Sequence, residues 1–166
     1  MSVSGDILQS WHRPGTVMRR LLAQGQREDR AIMFLMVACG LIFFGQWPRL
    51  IRLSQEGSEA PLQALLGGAL MGWMFIAPLL AYGLAALLRV AMVALRRPVG
   101  WYAARLALFW SLLAASPLWM AQGAVAGYAG PGPVTSAAGL VALGVFLWML
   151  VSSLGAAALE AAGRTA

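Results

Sequence analysis

The ionisable and nucleophilic side chains bound the chemistry, and this chain has few. Six acidic residues and one histidine stand among 166 residues. The acids are Asp6, Glu28, Asp29, Glu56, Glu59 and Glu160. His12 stands alone beside Trp11, without the partners a metal site needs. No Ser lies near a His and an acid in a recognisable order, so a hydrolase triad has nothing to build on. The glycines follow small apolar residues instead of a strand and a Lys, so no phosphate loop is expected. Cys39 is the single cysteine. It excludes an internal disulfide and a Cys-based metal cage, and it reads as a packing residue inside an apolar run. Proton and cation paths through a membrane use Asp, Glu or His inside the apolar layer. Here the acids fall outside the long apolar runs. The sequence therefore predicts no catalytic residue, no metal and no cofactor.

The basic residues carry more information. All twelve are Arg, and the net charge is +6. In a soluble protein that charge would suggest nucleic acid. Here the arginines flank apolar runs, where they meet anionic lipid headgroups and set topology, so no nucleic-acid partner is expected. Arg19, Arg20, Arg96, Arg97 and Arg105 are the candidate headgroup or partner contacts. Arg105 lies four residues past Trp101, just inside an apolar run. Three readings stay open for it: snorkelling to water, pairing with Glu28 or Asp29, or holding a lipid phosphate. A buried pair would cost about 3–5 kcal/mol to break.

These residues must be positioned by elements that live in lipid. The chain is 60% hydrophobic and 11% charged, against about 25% charged in a soluble domain. The longest apolar stretch, Pro61–Leu95, carries one charge, Arg89. The predicted fold is an all-α integral membrane bundle of about four transmembrane helices with an N-terminal amphipathic helix. Residues 1–30 read as a cytoplasmic arm, 31–160 as the transmembrane domain and 161–166 as a short tail. The spans are placed at about 31–47, 61–95, 101–123 and 134–158. Pro48 closes the first, and a polar connection runs from Arg49 to Ala60. Residues 61–95 are expected to cross once with a kink at Pro78, the alternative being a break and two crossings. Gly123 to Pro133 reads as a turn, and Thr135 or Ser136 as the cap of the last helix.

In the arm, Ser4 is expected to cap a first short helix. Pro14 fits the first turn of a second, whose Val17, Met18, Leu21 and Leu22 form an apolar face. Two readings stay open for that face: it lies in the membrane interface, or it packs on the protein itself. Residues 1–12 lack a sustained apolar core, so no cleavable signal is expected. With both termini in the cytoplasm, ten of the twelve arginines lie there, and Arg49 and Arg52 lie outside. Small residues recur at helix-packing spacing in Gly68-Ala-Leu-Met-Gly72 and Gly123-Ala-Val-Ala-Gly127. They serve packing within one bundle or self-association. Pro78 and Pro117 are candidate kinks.

Five stretches, taken in order, resemble bacterial members of the Yip1 family. They are Gln26-Arg27-Glu28-Asp29-Arg30-Ala31, Gln46-Trp47-Pro48-Arg49-Leu50, Ala77-Pro78-Leu79-Leu80, Ala104-Arg105-Leu106-Ala107-Leu108-Phe109-Trp110, and Gly127-Tyr128-Ala129-Gly130-Pro131-Gly132-Pro133. The likeness covers roughly residues 5–160. Eukaryotic relatives are multi-span proteins of early secretory membranes that associate with Rab-type GTPases. They usually have five spans and an Asp-Leu-Tyr-Gly-Pro signature, where this chain has four predicted spans and no such signature. The resemblance implies a non-enzymatic multi-pass protein of the bacterial inner membrane that organises or binds membrane components. Its partners would be the lipid bilayer and other membrane proteins or a second copy. A small permease or channel component, or an accessory subunit of a larger membrane complex, are the alternatives.

Overall fold

A computed structural model describes residues 3–57, 60–97 and 99–163. Glu59, Pro98 and Arg164 fall outside the described residues. Among those described there are helices and no strands. Four helical runs are long and apolar enough to cross a membrane: Glu28–Gln55, Leu62–Ala94, Trp101–Ala129 and Pro133–Gly163. They contain 28, 33, 29 and 31 residues, each more than the roughly 20 that span a hydrocarbon core.

Two short helices precede them, α1 (Val3–Ser10) and α2 (Pro14–Ala23). The first begins at Val3, so Ser4 lies inside it and not at its cap. Pro14 starts α2, where its missing N–H costs nothing. Gly25, at φ +87, ends that helix as a glycine does.

The first crossing is longer than the sequence suggests. Helix α3 (Glu28–Gly45) passes through Gln46, itself helical, into α4 (Trp47–Gln55). Pro48 does not close the span. It sits in the first turn of α4, where proline is tolerated. The stretch expected to connect from Arg49 is helical to Gln55, and Leu50 on it is buried.

The second crossing is one interrupted helix. Helix α5 (Leu62–Met71) runs through a π-helical turn, Gly72–Ile76, into α6 (Ala77–Ala94). The Ala77 N–H reaches back five residues to the Gly72 carbonyl. This wide turn lies just before Pro78 and loosens the backbone where the proline ring would crowd the preceding turn. The C-terminal end of α6 closes without glycine. Arg97 N–H donates to Met92 O and Arg96 N–H to Val93 O, both at 2.9 Å. Arg96 holds the left-handed position, at φ 57.

Helix α7 (Trp101–Ala129) is the hub. It extends past Gly123, so Gly123 and Gly127 lie in the helix and the turn is confined to 130–132. Helix α8 (Pro133–Gly163) also takes in 161–163, the described part of the expected tail. Thr135 and Ser136 are not caps; their hydroxyls donate to Gly130 O and Gly132 O. Phe109 and Trp110 on α7 are buried. Trp110 meets Phe34 of α3 edge-on at 4.9 Å, and Phe109 meets Tyr82 of α6 at 5.1 Å. The second crossing packs least. Ala85 is its one buried described residue.

Candidate functional site

Three local features follow from residues singled out in the sequence: a proline opening in α7, a glycine seam, and an arginine rim at the end where the arm enters.

Pro117 has no N–H, so the Leu113 carbonyl one turn earlier has no intrahelical donor. The Ser116 hydroxyl supplies one at 2.8 Å. The Trp11 indole N–H donates to the neighbouring carbonyl of Ala114 at 2.9 Å. One residue earlier, buried Ser10 accepts from the Trp110 indole at 2.9 Å and donates to Asp6 O at 2.8 Å. The α1–α2 turn is thereby fixed about a dozen residues along α7. The apolar face of α2 is buried, with Val17 and Met18 fully enclosed, and Gly15 lies against Ala156 and Ser152 of α8. The face therefore packs on the protein, as one of the two sequence readings expects. The sequence does not anticipate the contacts of Trp11, Ser10 and Trp110, although it places Trp11 on an apolar helical face with Ile7 and Leu8. The orphaned carbonyl ahead of Pro117 was the signal that could have pointed to them.

The seam joins α3–α4 to α7, which run parallel. A Cβ on Gly123 would stand 1.9 Å from Gly45 O, and one on Gly127 would stand 2.4 Å from Pro48 Cβ. Neither fits a folded chain. At the far end Arg52 donates to Tyr128 O at 2.8 Å and Gly127 O at 3.3 Å, while its Nε pairs with Glu56 at 2.6 Å. A guanidinium there offsets the negative end of the α7 dipole. The other glycine pair behaves differently. Gly68 and Gly72 have nothing within 4 Å of an added Cβ. The structure uses Gly123 and Gly127 in packing and leaves Gly68 and Gly72 open.

The rim gathers most of the remaining charges. Arg105 pairs with Glu28 across two crossings. Their side chains are 28% and 48% exposed, so the pair belongs with surface pairs worth about 0.2–1 kcal/mol and not with buried ones. Arg30 donates to Leu21 O at 2.8 Å and to the Tyr102 hydroxyl at 3.3 Å, tying the arm to α7. Arg20 pairs with Asp6 at 3.1 Å, bracing α2 on α1. Arg89 stacks over Trp101 at 4.0 Å. Arg19, Arg96 and Arg97 are exposed. No group of three His, Cys, Asp or Glu side chains able to hold a metal occurs among the described residues. Compared with known proteins, the chain matches no family model, no curated protein and no solved structure.

Proposed function

We propose that this chain is a non-enzymatic, four-crossing membrane protein of Yip1 type that gathers other membrane proteins in the bacterial cytoplasmic membrane, with both termini in the cytoplasm. One observation carries the reading. The second crossing has Ala85 as its one buried described residue, and its outer half presents Gly68 and Gly72 with open space around them. In lipid, apolar contact gives no drive to associate, because the tails are as apolar as the side chains. Small residues that let two backbones approach are what bring helices together. The glycines of α7 already serve this role inside the bundle. Those of the second crossing are free to serve it towards a helix of another protein or of a second copy. The clustering of arginines at the end where the arm enters supports the orientation.

The test is a photo-crosslinking residue at Gly68 in native membranes, followed by purification in mild detergent. A discrete protein adduct is expected. Adducts to lipid alone would overturn the reading. Solute flux through liposomes holding the purified protein by itself would favour a permease instead.

A further inference from the structure

Helices α6 and α8 both pack on α7 and make little contact with each other. A gap therefore lies between them, with α7 as the floor of its upper part. Its upper part is an apolar cavity of about 720 Å³, floored by Leu108 and Leu112 and walled by Leu87 and Phe146. Its lower part, about 510 Å³, is lined by Met92, Leu95, Arg97, Val151, Leu154 and Gly155. From Leu87 to Met92, and from Phe146 to Val151, each wall advances five residues. The second cavity therefore lies about 7 Å further along the same gap between α6 and α8, on the Arg97 side of the first. The gap is apolar through the depth of the span and ends at one guanidinium. No acidic residue lines either part. Arg97 is exposed and makes no side-chain hydrogen bond or ion pair within the described protein.

We propose that this cleft holds one anionic phospholipid of the leaflet on the Arg97 side, its acyl chain along Leu108 and Leu112 and its phosphate against Arg97. The chemistry at the two ends selects the occupant. An acyl chain fills an apolar groove that is open to the bilayer, and a guanidinium at headgroup depth attracts a negatively charged headgroup. The α6–α8 cleft is separate from the open glycine face of α5, so this proposal stands apart from the protein–protein reading above.

The test is native mass spectrometry of the full chain released from detergent, with phosphatidylglycerol, phosphatidylcholine or soluble glycerol phosphate added. Wild type is expected to retain phosphatidylglycerol about fivefold better than phosphatidylcholine, and Arg97→Gln is expected to lose that preference. Gly155→Trp places a ring in the lower cleft at a position with nothing within 4 Å of an added Cβ, and thermal denaturation checks that the fold is kept. It is expected to lose both retained lipids while its thermal denaturation stays that of wild type. Equal retention of the two lipids would overturn the proposal. So would retention in Gly155→Trp equal to wild type, which would mean a headgroup held at the surface with no groove. Glycerol phosphate binding as well as phosphatidylglycerol would replace the lipid with a free phosphate ester and overturn it too.

Discussion

The indole N–H of Trp11 lies 2.9 Å from the carbonyl oxygen of Ala114, joining the arm to the middle of the central helix across most of the chain. The bond forms beside Pro117, where α7 lacks one backbone donor and its carbonyls open to other partners. Trp11→Phe keeps the ring and removes the donor. A loss of about 1 kcal/mol is expected, the usual net worth of one such bond. Limited trypsin digestion in detergent checks it, with faster cutting after Arg19 and Arg20, neither of which precedes a proline. A digestion rate equal to wild type would mean that the apolar face of α2 alone holds the arm.

The glycine seam gives a sharper contrast. Gly123→Leu forces a side chain into the Gly45 carbonyl and is expected to cost about 3 kcal/mol or more. Gly68→Leu combined with Gly72→Leu meets open space and is expected to leave thermal stability unchanged. With the crosslinking residue moved to exposed Ala64, one turn away, the same pair should abolish the protein adduct. Equal destabilisation by the two sets would contradict the assignment of one pair to internal packing and the other to partners.

Arg105 and Glu28 form the ion pair expected of one reading of the sequence, in a more open setting than a buried pair. A double-mutant cycle with Arg105→Ala and Glu28→Ala should give a coupling of about 0.2–1 kcal/mol. Exchanging the charges, Arg105→Glu with Glu28→Arg, should recover part of it. Zero coupling would reduce Arg105 to a snorkelling residue.

At Arg96 the backbone takes a conformation that suits glycine, at φ 57. Arg96→Gly removes that strain and is expected to stabilise the fold by about 1 kcal/mol in thermal denaturation. Destabilisation would show that the guanidinium itself braces the α6–α7 turn.

Much of this architecture was legible because lipid imposes simple rules on sequence. The long apolar runs, the arginines at their ends and the scarcity of charge are enough for an all-α membrane bundle. The helix ends were less legible. Pro48 and the run Gly123 to Gly127 read as breaks, yet both lie inside helices. Proline in a first turn loses nothing, and a glycine held against a neighbouring backbone is worth more for its small size than it costs in entropy. Whether a glycine contacts another helix depends on crossing geometry, which one helix cannot reveal. That is why Gly68 and Gly123 look alike in sequence and differ in space. The docking of Trp11 depends on the third dimension in the same way.

Topology is the premise on which the partner face and the lipid cleft are placed. In a Cys39→Ser background, single cysteines at Gln26 and Gln55, both exposed, would be probed with a membrane-impermeant maleimide on spheroplasts. Labelling of Gln55→Cys in intact spheroplasts, with Gln26→Cys labelled after lysis only, is the predicted result. Labelling of both in intact spheroplasts, or the reverse order, would contradict it.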